Sequence, residues 1–493
     1  SLNIGHHHKC KRSRLMKFNS NKITIFTIAA VMVLFIGISF FACENFVPNN
    51  AATALVNQPN EALSGGATTV FDQSVNAFAL PVPTLSSQDE LLFFVGNSFF
   101  NQNWVQAPSS TTARDGLGPY FNAKSCSGCH FKDGRGQPPA SIGQLSEGFL
   151  LRLSVPGTDK NGGPVGDKNY GLQFQDHAID GLLAEGIFQL QWEEISGNYP
   201  DGTTYHLRKP IIIFDKLNYG EMSTDILISP RVAPQMIGLG LLEAIDEKTI
   251  LALVDEQDKN QDGISGRANY VWNHITQQQQ IGRFGWKANE PTILQQISGA
   301  FNGDIGIRTQ YFKDQHILPT QKKAATFPNG GETEIDNDDL EKLHLYSATL
   351  AVPARRDITD KNVIAGKNIF MALNCNACHV DKMVTGTHPK FNVLSNQTIQ
   401  PFTDLLLHDM GPGLADNRPD FLASGTEWRT PPLWGIGLFK TVNKHTFYLH
   451  DGRARNLEEA ILWHDGEAAN AKNGFMQLKE SERKQLLQFL QSL

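Results

Sequence analysis

Twice in this chain two cysteines separated by two residues are followed at once by a histidine: Cys126-Ser-Gly-Cys129-His130 and Cys375-Asn-Ala-Cys378-His379. Two thiols on one helical turn can add to the two vinyl groups of a porphyrin. The adjacent imidazole then meets the iron from below, and Cys-x-x-Cys-His is the attachment pattern of c-type haem. One zinc would need a second cysteine pair at each site. A dithiol redox motif leaves the histidine after both pairs unexplained. A chain of 493 residues has no need of disulfide staples. The pattern therefore predicts two covalent haems, with His130 and His379 as proximal iron ligands.

The remaining cysteines, Cys10 and Cys43, lie near the N-terminus. Lys17 and Lys22 precede an apolar run from Ile23 to Ala42, which ends in Phe40-Phe41-Ala42-Cys43. A small residue and a cysteine after such a run read as a lipoprotein signal over residues 1–42, with Cys43 lipidated. The alternative is an uncleaved anchor, because about 20 apolar residues can span a bilayer. Either way the expected place is periplasm-facing, held by the inner or outer membrane of a bacterium. Without the six basic residues of 1–42, 37 Lys and Arg remain against 50 Asp and Glu, a net charge of −13. Such a body excludes nucleic acid as a partner, since phosphates demand a basic face.

Residues 43–85 are poor in charge and rich in Ala, Asn, Pro and Thr, which predicts a flexible tether. Residues 86–345 form the first haem unit, with strand-like pieces at Phe149–Val155 and Ile211–Phe214. Helices are expected before each motif, over Asp89 to Phe100 and on the spacing of Ile364, Ile369, Phe370 and Leu373. Residues 346–493 form the second unit. Its last stretch places Leu486, Leu487, Phe489, Leu490 and Leu493 on a broad apolar helix side. The expected fold is mainly α, with irregular loops and short β pieces, arranged as two cytochrome c-like domains of which the first is expanded.

Four further segments carry a resemblance. They are Asp115-Gly-Leu-Gly-Pro-Tyr-Phe-Asn122, Gly282-Arg-Phe-Gly-Trp-Lys-Ala288, Arg429-Thr-Pro-Pro-Leu-Trp-Gly435, and His450-Asp-Gly-Arg-Ala454 followed by Leu457-Glu-Glu-Ala-Ile-Leu-Trp-His464. Over roughly residues 86–493 the chain resembles the bacterial di-haem oxidoreductases, also called predicted thiol oxidoreductases. These are distant relatives of di-haem cytochrome c peroxidases and MauG-type enzymes. The resemblance implies a peroxidase-like oxidoreductase that moves electrons between two haems, with a small oxidant such as peroxide reacting at the first iron. Alternatives are an electron-transfer cytochrome without its own substrate, and an accessory redox lipoprotein in iron acquisition. A redox partner protein would supply or take electrons. With four cysteines committed to haem, no dithiol remains for thiol exchange.

The resemblance also implies site residues. In the peroxidases the sixth ligand of the second haem is a Met or Tyr seven residues beyond the Leu that opens a helix. Here that Leu is Leu457 and the seventh residue on is His464; Met410 is the rival. A distal Glu manages protons at the reactive iron, and its match is Glu243, with Gln235 eight residues earlier to hold a bound oxygen species. His177, His206 and His274 are further candidates for that iron. Separately, Asp258, Asn260 and Asp262, followed by Gly263, match a calcium loop through its glycine, although position 12 is Asn269 rather than Glu.

Overall fold

The computed structural model of the chain describes residues 60–111, 113–140 and 148–493. The expected signal segment 1–42 and the lipidation candidate Cys43 lie outside them. Among the described residues no helix is long and apolar enough to cross a membrane.

A capped helix leads to each Cys-x-x-Cys-His segment. Ser87–Asn101 begins at Ser86, whose hydroxyl accepts the Asp89 amide at 3.1 Å. Asp89 and Glu90 fill its first turn, where acidic side chains complement the helix dipole. Lys361–Ala372 begins at Asp360, whose carboxylate accepts the amides of Asn362 and Val363. Each helix carries a glycine where a second helix crosses it. A Cβ at Gly96 would lie 2.3 Å from the Lys342 carbonyl of helix Asn337–Ala348, and one at Gly366 would lie 2.0 Å from the Gln485 carbonyl of helix Glu480–Ser492. Near the end of each leading helix an aromatic ring approaches the motif histidine. Phe100 is 6.2 Å from His130 and Phe370 is 6.3 Å from His379, between ring centroids.

Strands dominate much of the stretch between the two motifs. Phe149–Thr158 pairs antiparallel with Leu227–Val232 on one edge and Pro164–Val165 on the other. Gly186–Asn198 and Thr204–Leu217 form a long antiparallel hairpin, paired from Gly186 opposite Leu217 to Asn198 opposite Thr204 with one register shift between Ile187 and Phe188. The expectation of a mainly α chain built as two cytochrome c-like domains is therefore corrected: the described residues are 29% helical and 19% strand, with many small sheets. The reason lies in the residue types. Ile and Phe occur in both hairpin strands, with Trp192 in the first and Tyr205 in the second, and such side chains favour a pleated, half-buried surface. Leu190 and Leu207 are buried, while Ile187, Ile211 and Ile213 remain exposed.

Residues 60–85 are a second correction, since this part of the expected tether is packed. Ala77 and Phe78 are fully buried. Val70 and Pro81 form bridges to Pro353 and Leu350. Glu61 pairs with Arg355 at 2.6 Å and with Lys367. Low charge marks a stretch without regular structure, but burying Phe78 and Val82 holds it to the body.

Candidate functional site

In both motifs the residues close a single turn. The His130 amide donates to the Cys126 carbonyl at 2.9 Å, and the His379 amide to the Cys375 carbonyl at 3.0 Å. Ser125 caps the first turn through its hydroxyl, which accepts the Gly128 amide. Asn374, in the left-handed region, opens the second. None of the four cysteines is in a disulfide. Burial pushes the thiols of Cys126 and Cys375 up to about 12 and raises that of Cys378. Such thiols stay protonated near neutrality and are poor nucleophiles for exchange.

Three histidines share one arrangement. Nδ1 of His130 lies 2.7 Å from the Pro234 carbonyl, that of His379 2.9 Å from Phe402, and that of His464 2.7 Å from Ala460. A carbonyl oxygen only accepts, so each Nδ1 carries the proton and each Nε2 keeps a lone pair. A second hydrogen bond of this kind fixes the tautomer and orientation of a metal-binding imidazole. Burial lowers the pKa of all three, that of His379 to about 4. Yet none of the three is fully buried. All three residues are crowded by protein yet keep some accessible surface. A charge on His464 would further depress His379, so the two imidazoles lie within electrostatic reach. Helix Leu457–Leu462, capped by the Asn456 side chain on the Glu459 amide, delivers His464.

The donor set thus fits covalent haem. Each motif offers two cysteine sulfurs and an imidazole whose Nε2 is unprotonated, and His464 is within electrostatic reach of the second. Burial would oppose charge on these rings, which favours the neutral form that binds iron.

The other sequence candidates lie elsewhere. Glu243, at the end of helix Leu239–Glu243, accepts the Ile293 amide at 2.8 Å and His388 Nε2 at 3.0 Å. His344 Nε2 stands 3.9 Å away, too far for a hydrogen bond, and attracts as a charge. Burial alone would raise the Glu243 pKa, but the two histidines and the amide outweigh it and hold it at about 2. Gln235 follows the carbonyl that takes the His130 proton, and its amide reaches the Pro432 carbonyl at 3.4 Å. The preceding residue, Pro234, thus lies on the Nδ1 side of the imidazole. His177 stacks on Phe121 beside Asp176, His206 meets Ser196 on the hairpin, and His274 packs against Phe312. Met410 is half-buried against the core.

The Glu243 cluster carries a pH prediction. A carboxylate held at about 2 rather than 4.5 contributes stability above pH 4.5 and loses it as the pH falls toward 2. Glu243→Gln should cost about 3 kcal/mol at neutral pH and flatten the loss of thermal midpoint on acidification. Melting curves between pH 2 and 7 check this, and an acid limb identical to wild type would remove Glu243 from the ion cluster.

The calcium-type loop accounts for its own shape. Asp258 accepts the Gly263 amide at 3.1 Å, Asn260 accepts that of Asp262, and Asp262 that of Ile264. Asn269 is buried, donating to the carbonyls of Lys287 and Asp420 and accepting the Leu422 amide, so it points away from any ion in the loop.

Sequence reading missed a further cluster. His408 is clasped between Asp404 and Glu467, each at 2.7 Å, with the Cys378 sulfur 3.6 Å from Nδ1. Cys378, Asp404 and His408 are close enough for a metal, but the two carboxylates occupy both ring nitrogens. His408 was legible only as a neighbour of Met410, and nothing in the sequence joins it to residues 404 and 467. A family model described as "Di-haem oxidoreductase, putative peroxidase" matches residues 59–493. No curated protein and no solved structure matches the chain.

Proposed function

Because the chain belongs to the di-haem oxidoreductase family, we propose that it is a c-type, peroxidase-like oxidoreductase with its reactive iron at the first motif. When bound, two haems supply one-electron redox chemistry, and an iron with an open position can reduce a small oxidant such as peroxide. Cys126 and Cys129 hold the first haem and His130 orients it. Cys375, Cys378 and His379 do the same for the second. The single observation that carries this is the shared clamp on His130, His379 and His464, since all three present Nε2 with its lone pair.

His379 and His464 would both offer Nε2 to the second haem, which would suit electron transfer. Glu243 is held in an ion cluster with His388 and His344. Its carboxylate, held at about 2 between two histidines, stays ionised at neutral pH and binds three segments together. Gln235 supports the proximal side of the first site. Export as a lipoprotein anchored through Cys43, facing the periplasm and served by a redox partner protein, belongs to the same proposal and is supported by the apolar run before Cys43.

Absorption spectra of the oxidised and reduced protein, with and without cyanide or peroxide, test it. One haem that binds cyanide beside one that does not is the expected result. Two inert six-coordinate haems would make the chain an electron carrier without a substrate of its own.

A further inference from the structure

A buried charge needs an opposite charge, and two arginines beside the proximal carbonyls have none. Arg135 is 5% exposed and Arg429 is 7% exposed. Neither forms an ion pair among the described residues, whereas Arg418 and Arg453 pair with Asp420 and Asp451 at 2.9 and 2.7 Å. Arg135 lies over the Trp286 ring at 4.9 Å and the Phe439 ring at 5.9 Å. One terminal nitrogen donates to the Leu449 carbonyl, and its Nε has no partner at all. Arg429 Nε donates to the Gly285 carbonyl at 2.8 Å, and one terminal nitrogen reaches its neighbour's carbonyl at 3.4 Å. A guanidinium has five N–H donors and stays charged, so enclosure among rings and carbonyls leaves most of its charge uncompensated.

The two positions are counterparts. Gly136, next to Arg135, donates its amide to Ala233, and the following carbonyl, of Pro234, takes the His130 proton. Thr430, next to Arg429, accepts the Thr403 hydroxyl at 2.5 Å, and the preceding carbonyl, of Phe402, takes the His379 proton. Both arginines rest on Gly285–Trp286. Each haem brings two propionate carboxylates into the protein, and a guanidinium fork matches a carboxylate.

We propose that Arg135 and Arg429 are the anion-binding residues of the two haem sites, Arg135 taking a propionate of the haem held at His130 and Arg429 one of the haem held at His379. This rests on the di-haem reading. Tyr448, His445 and Asp451 face Arg135, but His445 is bonded to the Arg135 carbonyl and Asp451 to Arg453. Asp404 faces Arg429 but is bonded to His408. The protein's own acids are therefore spent.

Spectroelectrochemical titration of the full haem-loaded chain from pH 5 to 9 tests it, with haem content measured on the same samples. Loss of a cation beside a propionate disfavours the electron-richer reduced haem. Arg135→Leu should lower the midpoint potential of one haem and introduce a pH-dependent slope as its propionate begins to titrate. Arg429→Leu should do so for the other haem. If a Leu variant does not fold, Arg→Gln carries the same test. Arg→Lys, which keeps the charge, should restore the wild-type profile. Two haems present with both potentials unmoved in the Leu or Gln variants would overturn the proposal alone. A Lys variant that behaves like Leu would assign packing instead and also overturn it. A wild-type chain without haem would end the di-haem reading and this proposal with it.

Discussion

His464→Ala should convert the second haem from six- to five-coordinate. The spectrum of the oxidised protein should gain a high-spin component equal to one haem of two, and cyanide should then bind a haem that excluded it before. The expectation is large because ligand removal changes the spin state outright rather than shifting it. It follows from the clamp on Ala460, which leaves His464 Nε2 unprotonated, and from the electrostatic reach between His464 and His379. Loss of the ring removes one half-buried side chain just past the end of a capped helix, so the fold should survive with its haem content intact. A mutant spectrum superimposable on wild type would sink the ligand assignment, and Met410 would then be the next residue to replace.

Replacing Cys126 and Cys129 together by Ser should halve the covalently bound haem. The mass should fall by one porphyrin, the haem absorbance per chain by about half, and the cyanide response should vanish with it. The converse pair, Cys375 and Cys378, should also halve the haem but leave the cyanide-binding iron in place. The asymmetry is what makes the two variants informative, because it assigns the reactive iron to one motif. Both thiols of the first pair sit on one turn closed by the His130 amide, so single replacements are expected to leave a one-armed attachment rather than none. Full haem content in either double variant would remove the thioether attachment on which the site rests. A cyanide response that survives loss of the first pair would move the reactive iron to His379.

Local sequence was informative wherever function depends on neighbours in the chain. The order Cys-x-x-Cys-His is itself the geometry, because one turn of backbone brings the thiols and imidazole together at both motifs. Residue order also placed the leading helices, whose Ser86 and Asp360 caps are written beside them. His464 was reachable because the helix that carries it starts at a recognisable Leu457, seven residues earlier.

Contacts between distant segments were not legible. A run of β-branched and aromatic residues can be a strand or a buried loop until its partner is known, so the long hairpin of Gly186–Asn198 with Thr204–Leu217 was read only as a fragment. Glu243 has the sequence surroundings of a helix-end carboxylate near an apolar stripe. What decides its chemistry is His388, 145 residues away, which ties it into an ion cluster. Gln235 is similar, since a single hydrogen bond from His130 to the preceding carbonyl determines on which side of the imidazole its neighbour Pro234 lies. The carbonyls of Pro234, Phe402 and Ala460 set the tautomers of the three histidines, and main-chain acceptors have no signature in a sequence. Residue types and their order therefore determined which thiols and imidazoles the chain offers together. The fold alone decided which nitrogen each histidine presents and which charges it leaves unanswered, because those depend on burial and on partners hundreds of residues apart.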